Sequence, residues 1–252
     1  MKPAEPAALT VVTYNIHKGF SAFNRRLVVH EIRDRLHALA PDVLFLQEVQ
    51  GAHHTHSRRH ATWPEVAQYE FLSQAGGHSA YGMNAIYQEG HHGNAILSRY
   101  PILRWENLDV SHHAFENRGL LHCELAVPGW GEPLHCINVH LGLWARSRRF
   151  QMEGLSHRIR DSVPDGAALV VAGDFNDWRG HASAVLSREL GLQEVFESSL
   201  GRAARSYPAR LPILTLDRIY VRGLNVGDAR RHAAGPWARL SDHAALAARL
   251  TR

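Results

Sequence analysis

"VVAGDFNDWRG", residues 170–180, places Asp174, Asn176 and Asp177 within four positions directly after an apolar run. A buried strand does not end on two carboxylates and an amide without a reason, because burying unpaired charge is costly. The run itself, "ALVVAG" (168–173), reads as a strand. So do "LTVVTY" (9–14), "DVLFLQ" (42–47), "NAILS" (94–98), "LLHCELAV" (120–127), "LHCINVHL" (134–141) and "LDRIYV" (216–221). "PGWGEP" (128–133) carries turn chemistry, so 120–141 is expected to be an antiparallel hairpin.

Helical periods lie between these runs. Leu27, Val28, Ile32, Leu36 and Leu39 share one face until Pro41 stops the pattern. Met152, Leu155 and Ile159 predict a second helix ending before Pro164, and a third covers 181–190. Strands and helices alternate, but the hairpins rule out a purely parallel sheet. Mixed sheets with helices on their outer faces follow. The polar, His-rich stretch "GAHHTHSRRHATW" (51–63) is expected to be a loop.

Composition narrows little. The 252 residues are 45% hydrophobic and 21% charged, ordinary for a globular chain, with a net charge of +4 that favours an anionic partner only weakly. Cys123 and Cys136 sit in strand-like contexts and are expected as packed thiols. No CxxC pair suggests a zinc site. The N-terminus, with two prolines and an early acid, does not resemble a signal peptide. No apolar stretch approaches the roughly 20 residues of a spanning helix. A cytoplasmic protein with no obligate protein partner is the expectation.

Polar groups gather at the strand ends. "VVTYNIHKG" delivers Asn15, "VLFLQEVQ" Glu48, "INVHLG" Asn138 and His140, and "VVAGDFND" Asp174 and Asn176. "LDRIYV" opens with Asp217, and "LSDHAAL" holds Asp242 and His243. Each alone has a bland role as a cap, turn or satisfied core group. Together they suggest one site, because open sheets bind ligands beyond their strand ends. Clustered carboxylates need a cation, and oxygen ligands without thiolates select Mg²⁺ or Mn²⁺. Histidines beside such an ion suit a phosphate, so the chemistry inferred is metal-assisted attack on a phosphoester.

In this order, "TYNIHKG", "LQEV", "HHGNAILSRYPI", "NVHLG", "GDFND", "LDRIYV" and "SDHAAL" resemble the endonuclease/exonuclease/phosphatase superfamily, over about residues 9–250. The likeness is strongest to its small bacterial metal-dependent hydrolases. It implies an α/β fold, the DNase I-like four-layer α/β/β/α sandwich, with residues 1–252 as one domain. It also implies roles. Glu48 would be the main Mg²⁺ or Mn²⁺ ligand, with Asn15 nearby and Asp242 helping directly or through water. Asp174 and Asn176 would position and activate the attacking water. His243, oriented by Asp217, would meet charge on the phosphoryl oxygens, and His140 would contact the phosphate from the other side. Arg118 is placed to bind phosphate, and Asn94 to line the site. Asp177 falls outside this set and is expected to be solvated or to cap.

The implied substrate is a phosphodiester, in nucleic acid or a phospholipid head group. A phosphomonoesterase of inositol-phosphate type, or a non-catalytic phosphate-binding protein, is the alternative. The basic segments at 55–60 and 145–150 could meet phosphates, or be a solvated loop and a helix start.

Overall fold

The structure, a computed structural model, describes residues 8–113 and 115–252. In chain order its strands are β1 (Leu9–Asn15), β2 (Val43–His53), β3 (His78–Tyr87), β4 (Gly90–Ser98), β5 (Ile102–Asp109) and β6 (Gly119–Leu125). β7 (Leu134–His140), β8 (Leu169–Asp174), β9 (Gln193–Glu194), β10 (Asp217–Arg222), β11 (Asn225–His232) and β12 (Ala245–Thr251) follow. They form two six-stranded sheets, ordered β11-β12-β1-β2-β4-β3 and β5-β6-β7-β8-β10-β9.

Each sheet is built around one parallel pair, β1 with β2 and β7 with β8, flanked by antiparallel neighbours. The polar strand ends read from the sequence lie at the C-terminal ends of these pairs. Residue alternation builds the layers. Val11, Val43, Phe45, Cys123, Cys136, Val170 and Ala172 point between the sheets and form one core. Their neighbours Val12, Leu44, Leu46, Ile137, Leu169 and Val171 point outward into two further cores. A period of two with both faces apolar requires cover on the outer faces. α1 (Val29–Ala38) supplies it on the first sheet through Val29, Ile32 and Leu36.

α2 (His54–Arg59) follows β2 and buries no residue, and α3 (Gln68–Leu72) adds Leu72 to the outer core of the first sheet. On the second sheet α4 (Ala145–Ser162) packs Met152, Leu155 and Ile159, and α5 (His181–Leu190) packs Ala182, Leu186 and Leu190. α6 (Val195–Leu200) adds Val195 and Phe196 to the central core. The four-layer sandwich is therefore the fold. The three expected helices and the 120–141 hairpin are present, and both cysteines are free and buried.

The expected loop at 51–63 is corrected. β2 runs on to His53, pairing with Gly90 of β4, and residues 54–59 form α2. The segment holds its shape through aromatic packing, with the Phe20 ring 4.9 Å from His56 and His56 stacked 5.3 Å from Trp63. Polar composition concealed this, because imidazoles pack as flat rings while scoring as hydrophilic. Among the described residues no helix is long and apolar enough to cross a membrane.

Candidate active site

Glu48 owes its position to a break in β2. The ladder with β4 shifts register between Leu46 and Val49, and Glu48 sits at φ 55° inside that bulge. A left-handed carboxylate residue in a strand costs about 1–2 kcal/mol, and bulges of this kind re-aim side chains beside functional sites. The Glu48 carboxylate receives the Asn15 amide Nδ2 at 3.4 Å and the Lys18 ammonium at 3.6 Å. Asn15, at the end of β1, is fixed in turn, its Oδ1 accepting the His17 N–H at 3.1 Å.

The same Asn15 amide donates to Asp174 Oδ2 at 3.2 Å, which joins the two sheets at the site. Asp174 ends β8 and pairs in register with His140 at the end of β7. Gly173 makes this possible. Its φ is 145°, and a Cβ there would lie 2.0 Å from the Val139 carbonyl oxygen. After Asp174 the chain turns through Asn176 at φ 49°, a region asparagine tolerates better than most residues. The Asn176 N–H donates to Asp174 Oδ1 at 2.9 Å, and its amide Nδ2 to the Leu141 carbonyl at 2.8 Å.

His140 Nε2 and His243 Nε2 each stand 3.7 Å from Asp174 Oδ2. Behind them, His243 Nδ1 and Asp217 Oδ2 are 2.8 Å apart and buried. Asp217 faces Asp174 across the β8–β10 ladder, so two acids flank one imidazole. Ser206 Oγ accepts the Asp217 N–H at 3.0 Å, and Ser241 Oγ accepts the His243 N–H at 3.2 Å, fixing both backbones.

The electrostatics separate the roles. Burial works against a charged His243, but Asp217 and Asp174 overcome it and push its pKa up to about 10. Burial, with repulsion from Asp217, carries Asp174 up to about 6 against the attraction of His243. Burial, with Arg118 beside it, holds His140 well below the usual imidazole range, so His140 is neutral at pH 7. Glu48 is also buried, yet positive charge beside it, on His140 when that ring takes up a proton in acid and on Lys18 at 3.6 Å, keeps its carboxyl below the usual range. Because His140 is neutral, Lys18 is the standing cation there.

Asn94 and Arg118 line a small cleft together with Glu48, His92 and His140. Asn94 donates to the Gly119 carbonyl at 3.1 Å while its Oδ1 is buried without a partner. Arg118 Nε is likewise unpartnered, and its Nη1 reaches only the Asn117 carbonyl at 3.3 Å. Of these two atoms Arg118 Nε is a donor, suited to an anion's oxygen, while Asn94 Oδ1 can only accept.

Two residues stand back from the cluster itself. Asp242 reaches the cluster only through Ser241, whose Oγ lies 3.3 Å from Asp242 Oδ1 and 2.7 Å from the Asn15 carbonyl. Asn138 does not reach the site: it donates to the Leu46 and Ala95 carbonyls at 2.8 Å and accepts from Gln47 Nε2 at 2.8 Å, bridging the sheets. Asp177 is buried, not solvated, and caps α5 by accepting the Ala182 N–H at 2.6 Å. Lys18 and Tyr207, whose ring centroid lies 5.0 Å from that of His243, were not legible as site residues. For Lys18 a signal exists. The chain has 28 Lys and Arg, of which only Lys2 and Lys18 are lysine, so a lysine here is not compositional drift.

Asp174, Asp217 and His243 also bring three ligand-type atoms within 4.8 Å of one another, a group able to hold a metal. The sequence profile of the Endonuclease/Exonuclease/phosphatase family matches residues 12–243. The chain belongs to this family. It is 46% identical over 241 residues, 95% of each chain, to the uncharacterized protein YbhP of Escherichia coli K12. Among solved structures it resembles D. rerio TDP2 complexed with single-strand DNA product, at TM-score 0.72 and 17% identity, covering 98% of this chain and 100% of that one. The human Nocturnin catalytic domain with bound sulfate is similar at TM-score 0.72 and 21% identity, covering 97% and 93%. At these identities the likeness establishes the DNase I-like fold. The chain thus carries a phosphoesterase fold with a buried Asp/His cluster at the meeting of its two sheets.

Proposed function

We propose that this chain is a Mg²⁺- or Mn²⁺-dependent phosphodiesterase in which an activated water attacks phosphorus. One observation carries the reading: a single amide, that of Asn15, touches Glu48 from one sheet and Asp174 from the other. The convergence of residues 15, 48, 174 and 243 on one cleft also supports residues 1–252 acting as one domain.

Two places offer metal ligands. In the Asp174–Asp217–His243 group the imidazole carries its proton and donates at Nδ1, so it lacks a free lone pair. Glu48 is held ionised and offers oxygen, with Asn15 beside it and Asp242 one serine away, which fits a hard divalent cation. A cation bound there would polarise a phosphoryl oxygen and lower the pKa of a bound water.

The remaining chemistry belongs to the side chains. Asp174 Oδ1 is committed to the Asn176 N–H, while Oδ2, which accepts the Asn15 amide at 3.2 Å and keeps a second lone pair toward His140 and His243, is the base for an attacking water. Its raised pKa suits proton transfer near neutrality. Asn176, tied to the Leu141 carbonyl, fixes the turn that aims Asp174. Protonated His243 presents Nε2 to charge growing on the phosphoryl group, and Asp217 holds the imidazolium in place. Neutral His140 and the open donor of Arg118 complete the phosphate cradle from the other side, with Asn94 behind Arg118.

The test is release of p-nitrophenol from bis-p-nitrophenyl phosphate by the purified full chain with Mg²⁺ or Mn²⁺. Turnover that EDTA abolishes and added metal restores is expected. No turnover with either ion, or turnover indifferent to EDTA, overturns the proposal. A nitrophenyl monoester hydrolysed in preference would favour the phosphomonoesterase alternative.

A further inference from the structure

The cleft holding Arg118 and His92 opens into a groove of about 370 Å³ whose outer wall is Phe115, Leu143 and Trp144. These side chains are 97%, 62% and 74% exposed, and Phe150 close by on α4 is 47% exposed. Large apolar groups gathered at the mouth of a polar site are unusual on a monomer's surface and mark contact with a partner.

The wall is held in place. Arg148, itself buried, donates from Nη1 to the Gly142 carbonyl at 3.2 Å and to the Leu143 carbonyl at 2.5 Å. The Gly142 N–H donates to Gln151 Oε1 at 2.7 Å, and the Arg148 guanidinium lies 5.0 Å from the Trp178 ring centroid. Leu143 and Trp144 therefore stand in water on a backbone fixed from beneath, a preorganised surface and not a collapsed loop.

Charge identifies the occupant. A nucleic-acid strand lying along the groove would need a second cation in the groove lining for its next phosphate, and among the described residues Arg118 is the one arginine or lysine that lines it. Beyond Arg118 the groove offers the Glu116 carboxylate, with His113 3.9 Å from it, and then the apolar wall. One phosphate position followed by apolar surface fits an amphiphile with a single phosphodiester. On the flank, Arg146 and Arg149 are exposed between Trp144 and Phe150, so the stretch "LWARSRRF" (143–150) presents basic groups between exposed aromatic ones. Tryptophan with arginine at an apolar edge is the composition that settles at an anionic lipid interface.

We propose that Phe115, Leu143 and Trp144, flanked by Arg146 and Arg149, dock the protein on an anionic phospholipid surface and deliver a lipid phosphodiester headgroup to the Arg118 cleft. This rests on the phosphodiesterase reading for its catalytic half, while the docking half stands on the exposed wall alone.

The test is co-sedimentation of the full chain with vesicles of phosphatidylcholine alone or mixed with phosphatidylglycerol. It compares wild type with a Phe115→Ser/Leu143→Ser/Trp144→Ser variant and with an Arg146→Glu/Arg149→Glu variant, after circular dichroism establishes that each is folded. Wild type is expected to bind the mixed vesicles, and each variant to lose at least about tenfold in partitioning. A wild type that stays in the supernatant overturns the proposal, as do folded variants that bind equally well. A single-stranded oligonucleotide bound through Trp144, with no vesicle binding, also overturns it and assigns the wall to nucleic acid. Wild-type turnover of bis-p-nitrophenyl phosphate separates the two readings. Turnover without vesicle binding removes docking alone, and vesicle binding without turnover removes the catalytic reading alone.

Discussion

Asp217 Oδ2 lies 2.8 Å from His243 Nδ1, buried on the side of the imidazole away from the cleft, while Nε2 faces Asp174. One carboxylate therefore sets both the orientation and the charge of the histidine. In Asp217→Asn the amide can still accept the Nδ1–H, but the charge is gone. The His243 pKa is expected to fall from about 10 toward the ordinary range, and turnover by about 10²- to 10⁴-fold. Histidine NMR titration and a pH–rate profile check this. An unchanged His243 titration would refute the assignment of Asp217 as its orienting acid.

Asp174 is held in the site at a cost to stability. Its pKa is raised from 3.8 to about 6 by burial and by Asp217. The folded state therefore binds its proton more tightly than the unfolded chain. Stability from this group is full below about pH 4 and is lost as pH rises through about 6. Asp174→Asn is expected to lose turnover while equalling or exceeding wild-type stability at pH 8 in EDTA, by urea unfolding. A variant that keeps near-native turnover would remove Asp174 as the base.

Glu48 supports a parallel argument from the backbone. At φ 55° it pays for a conformation that glycine adopts freely. Glu48→Gly is expected to raise stability in EDTA by about 1 kcal/mol, while isothermal titration shows loss of Mg²⁺ or Mn²⁺ binding. Metal binding that survives this change would move the cation to another group.

The layers of the fold and most of the cleft were legible in the sequence because each rests on a local pattern. The alternation of Val11 with Val12, and of Phe45 with Leu46, says that both faces of a strand are buried. The ordered strand-end groups at 15, 48, 140, 174 and 243 say where the strands converge. What was not legible depends on tertiary context. The edge strands β5 and β11 carry polar and exposed residues such as Arg104, Glu106, Asp228 and Arg230, so no apolar run announces them. The bulge at Glu48 exists only in the register against β4. Tyr207 meets His243 because the backbone of Ala209 and that of Ala244 tie the 206–214 segment beside Asp242. The sequence groups Asn138 with the strand-end set because it lies two residues from His140. In a strand that spacing keeps both on one face, yet the bridge to Gln47 lies a full step short of the cleft.

Asn138 should accordingly behave as a structural residue. Its amide satisfies the Leu46 and Ala95 carbonyls and the Gln47 side chain, all buried between sheets. Asn138→Leu removes the side-chain donor from both carbonyls, at about 1–3 kcal/mol for each that water cannot reach, while Gln47 Nε2 keeps Thr13 Oγ1 at 3.2 Å and the Phe45 carbonyl at 3.3 Å. Urea unfolding should show a loss of about 2–5 kcal/mol, with vesicle binding and metal affinity retained in the folded fraction. A stable variant with lost metal binding would return Asn138 to the site.

Far from the cleft, Glu194 offers a cleaner titration. It is buried, its Oε2 accepts the Glu197 N–H at 2.6 Å at the start of α6, and its Oε1 has no partner. Burial outweighs that hydrogen bond and the attraction of Arg218, raising its pKa from 4.5 to about 7. A carboxyl raised on folding stabilises below its unfolded pKa, and the contribution disappears as pH rises through about 7. The difference amounts to roughly 3 kcal/mol between pH 4 and pH 8. Glu194→Gln keeps the acceptor for the Glu197 N–H and cannot ionise. Its stability curve should therefore lie close to wild type at pH 5 and above it at pH 8, and parallel curves across that range would show that Glu194 ionises freely in the folded protein.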